Sequence, residues 1–176
     1  MLKLGAWVPA IPLAFIAGWT DWRTRRIPNW LTVSGAVAGI AFQSTLEGWQ
    51  GAKSALLGLL LGLGLLLPFV LIRSLGAGDM KLVGAVGACF GPERLIRILI
   101  VTILVEGVMA LALVISKRRL WQTLRNMAHI AGSLLLFRVP GPAYSLDNPD
   151  AVKVPYGVAV AITVIGYGVG EALGKL

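Results

Sequence analysis

Apolar residues recur in six blocks along this chain, at roughly 4–20, 30–46, 54–75, 78–90, 94–115 and 155–173. A helix that crosses a bilayer needs about 20 mainly apolar residues. The pattern therefore predicts an all-α, polytopic membrane bundle of about six transmembrane helices. One stretch departs from it. Across 116–137, Arg118, Gln122, Arg125 and His129 recur at helical spacing, while Leu120, Trp121, Leu124, Ala128, Ala131 and Leu135 occupy another face. That predicts an amphipathic helix lying in the cytoplasmic interface with Trp121 as an anchor. Residues 139–153 are rich in Pro, Gly and Asp and read as an exposed loop.

Composition sharpens this picture. Of the 176 residues, 57% are hydrophobic and 14% charged, against about 25% charged in ordinary soluble domains. With no linker or low-complexity tract, residues 1–176 read as one membrane-embedded domain. The first block lacks a clear basic flank and a small-residue cleavage site, so it reads as a retained span. Nucleic acid is not the partner implied by the net charge of +8; loops facing anionic lipid account for it. With the N-terminus outside, eleven of the sixteen Lys and Arg residues fall on the inner side. This predicts a multi-pass protein of the plasma (inner) membrane with both termini outside. The single cysteine, Cys89, leaves no internal disulfide.

Two aspartates stand at the edges of apolar blocks, and both fall on the cytoplasmic side of that topology. Asp21 opens Asp21-Trp22-Arg23-Thr24-Arg25-Arg26-Ile27-Pro28-Asn29, and Asp79 closes Gly76-Ala77-Gly78-Asp79 before Met80-Lys81-Leu82. Carboxylates at membrane depth are costly and usually functional. A pair of them can share one proton and hydrolyse a peptide bond, one ionised to accept a proton from water and the other protonated to polarise the carbonyl. Gly76 and Gly78 permit close approach of a substrate backbone. Lys81 is placed to hold an acidic group or a lipid phosphate. The block 78–90 is 13 residues long, about 20 Å of helix against about 30 Å of hydrocarbon, which recesses Asp79 below the cytoplasmic surface. Each motif also has a plainer reading. Asp79 suits a helix cap, Asp21 an ion pair with Arg23 or Arg25, the arginines a topology signal, and Pro28-Asn29 a turn.

Together these elements resemble the type IV prepilin peptidases, polytopic aspartyl peptidases of the GxGD type. The likeness rests on Asp21 with Arg26-Ile27-Pro28-Asn29, on Gly76-Ala77-Gly78-Asp79-Met80-Lys81-Leu82, and on Pro155-Tyr156-Gly157 opening the last block. The resemblance implies Asp21 and Asp79 as the catalytic pair. Gly76, Gly78, Lys81, Arg26, Pro28 and Asn29 follow as substrate-binding or supporting residues. It also implies cleavage, at the cytoplasmic face, of pilin-like precursors that carry a short basic leader before a hydrophobic helix. Longer members carry a cysteine-rich insert and methylate the new N-terminus. This chain has neither insert nor cysteines for it, and so resembles the short, peptidase-only members that serve tight-adherence (Flp) pilus systems, or archaeal preflagellin and pilin processing. No methyltransferase activity, cofactor or metal is expected, and a monomer is the expected state. Asp147 and Asp150 are candidates to hold the basic leader.

Other positions carry competing readings. Glu106, mid-block, is expected to make a structural hydrogen bond, the alternative being that it faces the catalytic cavity. His129 reads as a polar-face residue. Gly58-x-x-x-Gly62 and Gly166-x-x-x-Gly170 predict close internal helix packing, and Pro68 a kink. Two rival functions remain at this stage: a small proton- or cation-coupled transporter component, and a non-catalytic assembly subunit of a pilus or secretion machine.

Overall fold

The computed structural model describes residues 4–72, 75–118 and 154–173, with isolated positions between 121 and 132. A 3-10 turn (Leu4–Ala6) leads into four helices: α1 (Trp7–Thr24), α2 (Asn29–Leu71), α3 (Ala77–Ser116) and α4 (Tyr156–Ala172). No strand occurs among the described residues. Both α2 and α3 are long and apolar enough to cross a membrane.

Six separate spans were expected, and four helices are found among the described residues. The difference lies in two glycines. Gly48 (φ 57°, ψ −137°) interrupts α2 and Gly91 (φ 74°, ψ 175°) interrupts α3, while the hydrogen-bonded turns on either side stay helical. Positive φ at these two positions is open to glycine at little cost and strained for other residues. Each expected loop, between blocks 30–46 and 54–75 and between 78–90 and 94–115, thus shrinks to a hinge of one residue. Pro92 follows the second hinge, where the missing N–H of proline costs least. Pro68 keeps helical backbone angles, and Gly48 is the sole break inside α2; the expected kink at Pro68 is not a break in the helix. Most of the expected amphipathic helix at 116–137, the loop at 139–153, and Asp147, Asp150 and His129 lie outside the described residues.

Close backbone contact joins α2 to α3. A Cβ placed on Gly58 would strike the Gly87 carbonyl, and one on Gly87 would strike the Gly58 carbonyl. Gly62 meets Val83 and Gly84 in the same way, and Gly39 meets Ala88 and Cys89. Gly39 and Gly58 stand nine and ten residues either side of the Gly48 hinge, yet both lie against residues 87–89. The two arms of α2 are therefore antiparallel and flank the first arm of α3. Gln43, buried, completes the contact by donating from Nε2 to the Cys89 carbonyl at 3.0 Å. The Gly58/Gly62 pair packs internally as its spacing predicts. Gly166 does not: a Cβ there would meet nothing within 4 Å.

The core gathers Leu82, Val83, Val86, Leu95 and Ile98 of α3 with Leu13, Ala14 and Ala17 of α1 and Val160 and Val164 of α4. At one end of the bundle, Trp7 lies edge-on to Phe90 with centroids 4.6 Å apart. Its indole Nε1 donates to Glu171 Oε2 at 3.1 Å, and Arg94 Nη2 reaches Glu171 Oε1 at 3.3 Å. These groups fasten the start of α1, the Gly91 hinge and the end of α4 to one another. The opposite end holds both aspartates.

Substitution at Gly58 tests this packing. Gly58→Leu should lower the stability of the purified protein in detergent by about 1–3 kcal/mol, because backbone rather than a flexible side chain blocks the new atoms. Gly64→Leu, on the same helix with open space around it, should stay within about 0.5 kcal/mol. Thermal melting of both variants decides the point.

Candidate active site

The last turn of α1 carries Asp21, which is 6% exposed. Arg25 ends that helix in the left-handed conformation (φ 53°), its N–H bonding back to the Asp21 carbonyl at 2.9 Å. Three residues later Pro28, extended at φ −66° and ψ 139°, starts α2, and its carbonyl accepts from the amides of Leu31 and Thr32 at 3.2 and 3.4 Å. The Arg-Ile-Pro-Asn element is thus a tight helix-to-helix connection. Arg26 is exposed on it, and Pro28 is half-buried.

The Asp21 carboxylate lies against the start of α4. Gly157 N–H donates to Asp21 Oδ2 at 2.8 Å in a buried setting, and the amide of Val158 also bonds to it. Free N–H groups at a helix N-terminus, with the positive end of the helix dipole, suit a carboxylate. The site for it is tight. A Cβ on Gly157 would lie 2.9 Å from the Asp21 Cβ and 3.1 Å from the Ala17 carbonyl.

A second helix N-terminus holds Asp79. Gly76 is the N-cap of α3 (φ −73°, ψ 140°) and Asp79 lies in the first turn. Its backbone N–H bonds to the Gly76 carbonyl at 3.1 Å, and its carboxylate accepts in turn from the Gly76 amide. This is the arm of a capping box that reaches back from the third helical residue. Asp79 is therefore not the cap itself. A Cβ on Gly76 would come within 2.9 Å of Asp79 Oδ2.

The two motifs meet. Lys81 Nζ donates to Asn29 Oδ1 at 2.9 Å, and Gly78 faces Ile27, where an added Cβ would sit 3.4 Å from the Ile27 Cβ. Asn29 and Lys81 thereby fasten the first connection to the start of α3. Lys81, expected to hold an acid or a phosphate, is engaged here by a neutral amide oxygen. Asp21 and Asp79 come close enough for the charge on one to bear on the other.

Two further groups join them. Glu106 lies on the arm of α3 that returns after Gly91, about as far beyond the hinge as Asp79 lies before it, and its charge reaches both Asp79 and Tyr156. That places it on the side of the returning arm toward the aspartates. Tyr156, 6% exposed, stands at the head of α4 beside Gly157. The sequence marks the Tyr156-Gly157 pair only as part of a motif. Its contact with Asp21, 136 positions away, has no local signature. Among the described residues no three His, Cys, Asp or Glu side chains are grouped so as to hold a metal ion.

Residues 9–115, more than half of the chain and both aspartate motifs, match the type IV leader peptidase family. The chain belongs to that family. Membership makes it a protease that acts on leader-bearing, prepilin-type precursors as a class. No curated protein and no solved structure matches it.

The glycine beneath Asp21 gives a test of position apart from charge. Gly157→Ala keeps the N–H donor but drives a methyl group against Asp21. A misplacement of about 1 Å can cost about 10²-fold in rate. Cleavage should fall by roughly that factor while membrane levels hold. Gly166→Ala, nine residues further along the same helix in open space, should cleave as the wild type does.

Proposed function

We propose that this protein is a membrane aspartyl endopeptidase that removes short basic leaders from prepilin-like precursors at the cytoplasmic face, with Asp21 and Asp79 as its catalytic pair. The observation that carries this reading is the convergence of the two motifs. Asp21 and Asp79 interact by charge, and each is held by backbone N–H groups at the start of a helix.

The chemistry follows from that arrangement. An ionised carboxylate of the pair takes a proton from a water molecule as its oxygen attacks the scissile carbonyl carbon. The protonated partner donates its hydrogen to the carbonyl oxygen, giving a neutral tetrahedral diol. Return of a proton to the amide nitrogen, with loss of one from a diol hydroxyl, breaks the C–N bond and restores the pair to its single shared proton. Nearby carboxylates titrate together, so the two roles belong to the pair. No covalent intermediate forms.

The membrane reading uses the six helical rods made by the hinges at Gly48 and Gly91. Large apolar side chains such as Phe15, Leu60, Ile103 and Leu104 cover their outer surface, which suits lipid better than water. The end that carries the aspartates also carries Arg23, Arg25, Arg26 and Lys81, and the excess of basic residues assigns that end to the cytoplasm. The precursor's basic leader then meets the negative charge of the aspartate pair at that end.

Co-expression with a candidate precursor tests the proposal. Wild type should release the leader, and Asp21→Asn and Asp79→Asn should each reduce release by about 10²–10⁴-fold, the span attributed to acid–base catalysis. The pH profile of the wild type should be bell-shaped, since loss or gain of the shared proton disables the pair. Undiminished cleavage by both variants, at equal membrane levels, would overturn the assignment.

A further inference from the structure

Tyr156 is the first residue of α4, and its ring is packed in the core. Its neighbour Gly157 is pressed against α1. A Cβ there would lie 3.1 Å from the Ala17 carbonyl, and the Gly157 amide bonds the Asp21 carboxylate. Successive residues of a helix project about 100° apart. With Gly157 turned to α1, Tyr156 is turned toward α3, and the charges of Asp79 and Glu106 on that helix both reach it. One dipeptide therefore spans the site, with its amide on one aspartate and its phenol beside the other.

The Tyr156 hydroxyl is uncommitted. A buried tyrosine ordinarily gives its O–H to a partner, and a buried donor left unpaired is costly. Here the side chain is 94% buried, being 6% exposed, and its hydroxyl makes no hydrogen bond to a described residue. Other donors near the aspartates already have acceptors: the Gly157 amide has Asp21, the Gly76 amide has Asp79, and Lys81 has Asn29. A phenol keeps its proton at neutral pH, so Tyr156 brings a spare donor to the pair.

We propose that the Tyr156 hydroxyl is a third catalytic group, donating a hydrogen bond to the oxygen of the scissile carbonyl as its carbon becomes tetrahedral. The inference rests on the aspartyl-peptidase reading above and adds a donor to it. A carbonyl oxygen has two lone pairs. The protonated aspartate delivers its hydrogen to one, and Tyr156 meets the other. The phenol keeps its own proton throughout, so the proton balance of the hydrolysis is unaltered. Charge builds on the oxygen before the aspartate's proton has fully arrived, and a donor fixed in advance costs no rearrangement at that moment. The ring held in the core and the start of α4 held on Asp21 do the fixing. Packing alone would be served as well by phenylalanine, which is the distinction to test.

Tyr156→Phe removes the hydroxyl and keeps the ring. The substrate is a precursor made of a short basic leader, a glycine before the cut and an apolar helix of about 20 residues. With it, kcat should fall about 10²-fold, as loss of one such donor does, while KM and the melting temperature change little. Tyr167→Phe, further along α4 and stacked on Trp7, should cleave as wild type does. Two uncleavable forms of the same precursor separate the chemical role from packing. One carries CH(OH)–CH₂ in place of the scissile C(=O)–NH, and so keeps an oxygen on a tetrahedral carbon. The other carries CH₂–CH₂ and has no oxygen. Contacts made in the transition state show in the binding of its mimics. Tyr156→Phe should weaken binding of the first about tenfold, the worth of one hydrogen bond, and leave the second unchanged. The ratio is read on folded protein, so a lower yield of the variant does not blur it.

Full activity of Tyr156→Phe, with Asp21→Asn and Asp79→Asn inactive, would overturn this inference alone. Equal weakening of both mimics would do the same, because lost packing does not distinguish them. Undiminished cleavage by both aspartate variants would overturn the inference together with the peptidase reading.

Discussion

Backbone-to-backbone contact between α2 and α3 is the constraint on which the rest depends. Inside a lipid layer the packing of apolar side chains against one another gains little over contact with acyl tails, so helices hold together where they approach closely. Gly58 against Gly87, Gly62 against Gly84 and Gly39 against Cys89 provide that approach. Once they are in register, the hinge at Gly48 has to fold α2 back on itself. The start of α3 is thereby fixed beside the start of α2, which is why Asn29 and Lys81 come within hydrogen-bonding distance. The site is assembled by contacts that lie well away from it.

Holding acidic groups together at that end raises a second difficulty. Buried charge needs compensation, yet a firm ion pair with arginine would quench the proton sharing that the proposed chemistry requires. Here the foremost donors are peptide N–H groups: that of Gly157 for Asp21, joined by the nearby Arg25 charge and the Val158 amide, and that of Gly76 for Asp79. Such donors stabilise negative charge without a full counter-charge, and they are fixed in direction by the helices that carry them. The same need explains why glycines border both aspartates. The carboxylates lie so close to the backbone that a side chain at Gly76 or Gly157 would occupy their space.

Much of this was readable beforehand, and the unreadable parts have physical reasons. The apolar blocks mark the helical rods, because composition and length report what can cross lipid. The motifs around Asp21 and Asp79 stand out because polar groups at such positions have few innocent uses. Hydropathy is blind to the hinges, however: a single glycine at positive φ looks the same as one within a helix, so Gly48 and Gly91 were indistinguishable from Gly35 or Gly87. Small-residue spacing shows which surfaces permit close contact and leaves open what makes it. Gly58 found a partner inside the chain, and Gly166 did not. The link from Asp21 to Gly157 joins opposite ends of the sequence and depends on the whole bundle being formed.

That last link bears on how the protein is made. Chains emerge from the ribosome in order, and domains begin to fold while synthesis continues. Both aspartates and the α2–α3 contact precede residue 117, so a growing chain acquires them early. The amides that hold Asp21 belong to the start of α4 and are synthesised well after it. A nascent chain that has not yet added α4 therefore carries both aspartates with Asp21 lacking these two donors.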